Sequence, residues 1–155
     1  MDWFLISIFM IFNWILVNNL SIGTPLIDKK DQLFLKEKKI VSILDLRNEH
    51  DLSKINYDGQ LALYKEFHTV NLSLPDHNSK RFATKYEIEK AVNQLEKLLR
   101  KGPVFMHCHA AVERSPLISV AFLINIKRLK LIQAYEYVKQ QNKTTNVLLE
   151  QLREI

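Results

Sequence analysis

Pro103-Val104-Phe105-Met106-His107-Cys108-His109-Ala110-Ala111-Val112-Glu113-Arg114-Ser115-Pro116-Leu117-Ile118-Ser119 is the stretch that decides the fold. Val104 to Met106 form an apolar run ending in His107 and the only cysteine of the chain, Cys108. Arg114 follows six positions later, then Ser115-Pro116 and a strongly apolar run. Physically this is a strand, a tight loop and a helix N-terminus, with a thiol at one end of the loop and a guanidinium at the other. A helix N-terminus favours an anion. A planar guanidinium matches two phosphoryl oxygens. A thiolate is a nucleophile. Such a loop can bind a phosphate and attack it.

Working outward, the pattern behind Pro103 is a helix. Thr84 with Glu87 three residues on is a capping box, and Ile88, Ala91, Val92, Leu95, Leu98 and Leu99 share one face until Gly102-Pro103 stops it. Ahead of the loop, about Ser115 to Lys127 is apolar on nearly every side, which predicts a buried helix. Two further helices are expected near residues 131–141 and 146–154. Upstream, Trp14–Val17 and Leu20–Ile22 read as short strands broken at Asn18-Asn19, and Gly23-Thr24-Pro25 as a turn. Asp28 caps a helix running to about Lys38. Ile40–Leu46 reads as a central strand, Asn48–Gly59 as polar loop, Leu61–Lys65 as a short helix and Phe67–Leu72 as a strand. Alternating strands and helices predict an α/β domain, a mostly parallel sheet with helices on both faces. Ligands in such sheets bind beyond the carboxyl ends of the strands, where His107-Cys108 falls.

The chain has 155 residues, 47% of them apolar and 25% charged, so one domain can bury a substantial core. Its net charge of +5 suits an anionic ligand. The lysines are scattered and lack the aromatic interleaving of a single-strand binder, so no specific nucleic acid is expected. Trp3–Val17 is apolar but short of the roughly 20 residues of a membrane span, and Asp2 stands where a signal peptide carries basic residues. Residues 1–12 are read as an apolar extension and 13–155 as the domain; Met10 is an alternative start. The expected location is cytoplasmic, with membrane association through residues 3–17 as the alternative, and the expected state is a monomer.

His107-Cys108-His109-Ala110-Ala111-Val112-Glu113-Arg114-Ser115 resembles the signature of the cysteine-dependent protein tyrosine and dual-specificity phosphatases, His-Cys-x-x-Gly-x-x-Arg-Ser/Thr. The likeness extends over roughly Trp14 to the C-terminus and is greatest to the small bacterial dual-specificity-like members. It implies a protein tyrosine phosphatase-like fold and a metal-independent hydrolysis through a phosphocysteine on Cys108. It also implies that residues His109 to Arg114 (His109, Ala110, Ala111, Val112, Glu113, Arg114) wrap the phosphate. His107 then supports the cysteine, and Ser115 helps expel the thiolate; on its own residue type, Ser115 reads as a helix N-cap with Pro116 first in the helix. The general acid is expected at Asp76 of Leu74-Pro75-Asp76, 32 residues before Cys108. Asp45 and Glu49 compete for that role, Asp45 being the more structural of the two with Arg47 as its partner.

No cofactor or metal is expected. His107-Cys108-His109 makes a poor metal site because neighbours on a strand point to opposite faces. Ala111 stands where the family has glycine; if the backbone there needs positive φ, alanine costs on the order of 1 kcal/mol. Residues His109–Glu113 carry no Lys or Arg and one acid, which favours phosphotyrosine or phosphoserine/threonine monoesters of a phosphorylated protein over polyphosphorylated inositols. The alternatives are a pseudophosphatase that binds a phosphorylated partner, and a thiol transferase or reductase. The latter lacks a resolving cysteine.

Overall fold

A computed structural model describes residues 9–153 and 155. Five strands form one sheet: β1 (Phe12–Leu16), β2 (Leu20–Gly23), β3 (Ser42–Asp45), β4 (His68–Asn71) and β5 (Val104–His107). Their spatial order is β1-β2-β5-β3-β4. Only β1 is antiparallel, to β2; the other pairings are parallel. The mostly parallel α/β architecture expected from the sequence is therefore present.

The helices are α1 (Lys29–Glu37), α2 (Glu49–Leu52), α3 (Tyr57–Tyr64), α4 (Lys85–Leu99), α5 (Arg114–Asn125) and α6 (Leu131–Gln141). On one sheet face, Leu26, Leu35, Ile43, Tyr64, Phe67 and Phe105 form a core with α1 and α3. On the other, Ile88, Val92 and Leu95 of α4 meet Leu117, Ile118 and Val120 of α5 and Ala134 and Val138 of α6. Two buried layers hold the central strand β5, whose four residues are all buried, as continuous apolar parallel strands require. Helix α4 starts at the Thr84 capping box and buries Ile88, Ala91, Val92, Leu95 and Leu98, the face its spacing predicts.

Several sequence expectations need correction. The first strand begins at Phe12, inside the supposed extension. Ile11 is tied to Thr24 through its N–H to Oγ1 and its carbonyl to the Thr24 N–H. A Cβ at Gly23 would lie 1.8 Å from the Ile11 carbonyl oxygen, so glycine there is what lets β1 close on β2. The apolar stretch Trp3–Val17 thus spends residues 12–16 on the sheet, while residues 1–8 lie outside the described part. Among the described residues, no helix is long and apolar enough to cross a membrane. Residues 48–59 are not plain loop but hold α2 and the start of α3. The final segment is a 3-10 turn at Leu149–Leu152 rather than a helix over 146–154.

The parallel register lines up the strand ends. Gly23, His107, Asp45 and Asn71 stand side by side at the carboxyl edge of β2, β5, β3 and β4. The loop after β5 leaves from the middle of that edge.

Candidate active site

Cys108 follows β5 directly and is buried, with its Sγ 3.3 Å from the Ser115 Oγ in the first turn of α5. The sulfur therefore sits at a helix N-terminus, where amide dipoles favour negative charge. Helix α5 begins at Arg114, one residue earlier than expected, so Pro116 is third in the helix. Glu113 occupies the N-cap position without a side-chain cap bond. Ser115 consequently does not cap the helix; its hydroxyl is spent on the thiol.

Ala111 has φ +57°, the left-handed region that its place in the loop demands. This backbone is held from behind. The Ala111 carbonyl accepts from Asn142 Nδ2 at 2.8 Å and Thr144 Oγ1 at 3.0 Å, and the Val112 carbonyl from the Asn146 N–H at 2.9 Å. Asn142 is buried and also donates to Thr145 Oγ1. Thus the segment after α6 braces the loop, a role the sequence reading missed. The visible signal was the polar run Asn142-Lys143-Thr144-Thr145-Asn146 between apolar segments.

Arg114 is buried and held by two carboxylates. Its Nη1 donates to Asp51 Oδ2 at 2.6 Å, its Nη2 to Asp51 Oδ1 at 3.3 Å, and its Nη2 lies 3.5 Å from Asp76 Oδ2. The Nε–H finds no acceptor among the described residues. Asp51 was also overlooked; the pattern Asn48-x-x-Asp51, a capping box at the start of α2, was its trace. Burial alone would raise the Asp51 carboxyl, but hydrogen bonds from Arg114 and the Asn48 N–H outweigh it and hold it below the usual carboxylate range. Burial would likewise lower the Arg114 guanidinium, and the bond to Asp51 together with the neighbouring thiol and acids keeps it above its ordinary value.

Asp76 lies where the acid was expected, buried at the start of the 3-10 turn His77–Ser79. Its Oδ1 accepts from the Asn78 N–H at 3.0 Å and Ser79 Oγ at 3.3 Å, which leaves Oδ2 toward Arg114. The loop base is tied to β3 and α2 by Leu74 N–H to Leu46 O and Asn48 Nδ2 to Leu74 O. Of the competing acids, Asp45 pairs with Arg47 through Oδ1–Nε at 3.0 Å and Oδ2–Nη2 at 2.9 Å, fully buried, the partnership anticipated. Glu49 is exposed on α2 and does not line the cavity that holds Cys108.

His107 is completely buried. Its Nδ1 lies 3.2 Å from the Cys108 carbonyl and its Nε2 3.1 Å from the Tyr64 hydroxyl. A carbonyl only accepts, so Nδ1 carries the proton and Nε2 accepts from Tyr64, which itself accepts from the Leu26 N–H. Burial pushes the His107 pKa down to about 4, although Asp45 pulls the other way, so the ring is neutral near pH 7.

Cys108, Asp76 and Arg114 line one cavity of about 380 Å³ with His109, Ala110, Val112 and Glu113. The same cavity is lined by His50 and Lys54 from the α2 region, residues that a reading confined to the loop did not include. A buried thiol at a helix end, a clamped guanidinium with a free N–H and a carboxylate on a short turn share one concavity. That set can hold an oxyanion, attack its central atom and move a proton.

Comparison with known proteins agrees with the geometry. Residues 26–155 match the family described as "Dual specificity phosphatase, catalytic domain". The chain belongs to that family. Dual specificity protein phosphatase 1-A of Xenopus laevis is 28% identical over 127 residues, 77% of this chain and 34% of its own length. Dual specificity protein phosphatase 5 of Rattus norvegicus is 48% identical over 40 residues, 26% of this chain and 10% of its own length. The chain thus spans about a third or less of these relatives. Among solved structures, a human tyrosine phosphatase-like serine/threonine/tyrosine-interacting protein superposes with a TM-score of 0.74 at 20% identity. It covers 92% of this chain and 93% of its own. Tk-PTP in its active form gives 0.72 at 15% identity, covering 91% and 90%. These likenesses are to the fold. The dual specificity phosphatase catalytic domain accounts for most of the chain, from just after the Gly23-Thr24-Pro25 turn to its last residue.

Proposed function

We propose that this dual specificity phosphatase-family chain hydrolyses phosphomonoesters of phosphorylated proteins by a two-step, cysteine-dependent route. The observation that supports this most is the shared cavity lined by Cys108, Asp76 and Arg114, whose guanidinium keeps one N–H, at Nε, without an acceptor among the described residues. In the first step, Cys108 Sγ attacks phosphorus as the ester P–O bond breaks, and Asp76 gives its proton to the leaving oxygen. Arg114 and the amides of His109–Arg114 hold the phosphoryl oxygens as charge develops. Asp51 orients the guanidinium without touching the substrate. In the second step, water attacks phosphorus while Asp76 takes a proton from it, the S–P bond breaks, and the Ser115 hydroxyl hydrogen-bonds the departing thiolate.

The single acid and the absence of Lys or Arg in His109–Glu113 support aryl or alkyl monoesters over polyphosphorylated inositols. The test is turnover of p-nitrophenyl phosphate in EDTA by wild type, Cys108→Ser and Asp76→Asn. Metal-free turnover lost in Cys108→Ser is expected, with a loss in Asp76→Asn smaller than the roughly hundredfold that a general acid contributes to an ester whose leaving group must be protonated. Full activity in Cys108→Ser would overturn the proposal.

Ala111 at φ +57° favours a second reading, a catalytically weak or inactive pseudophosphatase that binds a phosphorylated partner. A β-carbon in that conformation costs on the order of 1–2 kcal/mol and can displace the amides by tenths of an ångström. Phosphate binding without turnover in the same experiment selects that reading, and recovery of turnover in Ala111→Gly identifies its cause.

A further inference from the structure

Glu113 has a carboxylate in an unusual position. A polar side chain at an N-cap ordinarily accepts from the N–H groups of its own helix; Glu113 makes no such bond. Its Oε2 instead reaches the loop 36 residues upstream, accepting from the His77 backbone N–H at 3.2 Å and standing 3.2 Å from His77 Nδ1. His77 adjoins Asp76. These bonds connect the phosphate-wrapping loop directly to the acid-bearing turn. The same residues, Asp76, His77, Glu113 and Arg114, also form the wall between the catalytic cavity and a neighbouring one of about 460 Å³.

We propose that Glu113 is a positioning residue, a latch that holds the Asp76 turn over Cys108 by gripping His77. The inference rests on the assignment of Asp76 as general acid. The grip is built to be reversible. The His77 and Glu113 side chains are 64% and 34% exposed, and a pair so placed contributes little to stability on its own. What it sets is the geometry of the turn, and a proton donor displaced by a fraction of an ångström loses much of its effect. The trio Asp76, His77 and Glu113 also has the donor types of a cation site, with ligand atoms within 4.8 Å of one another. The Arg114 guanidinium, 3.5 Å from Asp76 Oδ2, opposes a cation there and favours the hydrogen-bonded latch.

The test compares p-nitrophenyl phosphate, whose leaving group needs little protonation, with phenyl phosphate, whose leaving group needs it badly. Glu113→Ala is expected to lower kcat for phenyl phosphate about tenfold and for p-nitrophenyl phosphate two- to threefold. Competitive inhibition by inorganic phosphate should stay within twofold of wild type. Glu113→Gln, which still accepts from the His77 N–H, should recover most of the loss. In an Asp76→Asn background, Glu113→Ala should cost nothing further. Equal losses on both substrates with weakened phosphate inhibition would overturn the latch, since Glu113 would then be shaping the phosphate loop itself. If Asp76→Asn slows phenyl phosphate and Glu113→Ala does not, the latch alone fails. If Asp76→Asn leaves both rates unchanged, the acid assignment fails and the latch with it.

Discussion

At the scale of single residues, His107 shows how burial and partners fix a chemical state. Its neutral ring hands one hydrogen bond to the Cys108 carbonyl and takes one from Tyr64, which anchors the backbone under the thiol. The unfolded chain takes up this proton near pH 6.5 and the folded chain only near pH 4, so the unfolded state binds more protons in between. Stability must therefore fall as pH drops through that window. Urea titrations at pH 7 and pH 5 should show wild type losing about 2 kcal/mol more than His107→Gln over that interval. Equal losses in the two proteins would mean that the ring is already charged or solvated. His107, Cys108, Arg114 and Ser115 were all legible in the sequence because their chemistry is packed into nine consecutive residues. Asp51 and Tyr64 were not. Each meets its partner only through the fold, and an aspartate near the start of a short helix or a tyrosine at the end of one is an ordinary surface feature until the partner is seen.

At the scale of elements, β5, its loop and α5 were readable because an apolar strand and an all-round apolar helix leave few alternatives. Helix α4 was readable because its cap and its buried stripe agree. The misreadings came where one element serves another. Helices α2 and α3 span four and eight residues, too short for a clear apolar period, and α3 contains Gly59. Residues 146–154 failed as a helix because Asn146 gives its N–H to the Val112 carbonyl across the molecule. Asn142 belongs to the same brace, and it also accepts from Asn13 Nδ2 at 2.8 Å. Asn142→Ala strands these partners in a buried place, which costs about 1–3 kcal/mol. A lower unfolding midpoint accompanied by weaker inorganic phosphate inhibition is the expected pair of results. A stability loss with unchanged phosphate affinity would show that the loop keeps its shape without the brace.

At the scale of the whole molecule, topology delivers the chemistry. Parallel pairing of β2, β5, β3 and β4 brings their carboxyl ends into one row, and β5 in the middle places Cys108 where loops from both sides converge. One such loop supplies Asp76, and α2, after β3, supplies Asp51. The edge strand β1, read from the sequence as starting at Trp14, begins two residues earlier, completes the sheet on one side and packs Phe12 against Phe34 and Phe105. The mostly parallel sheet and its ligand edge were inferable from alternation alone; the spatial order of the strands, and which distant residues would meet at that edge, were not.

The most direct test of the central claim is mass analysis of the protein acid-quenched during turnover of p-nitrophenyl phosphate in EDTA. A phosphoryl group is expected on the peptide containing Cys108, more abundant in Ser115→Ala and missing in Cys108→Ser. Turnover with the phosphoryl group on another residue, or undiminished turnover in Cys108→Ser, would contradict it.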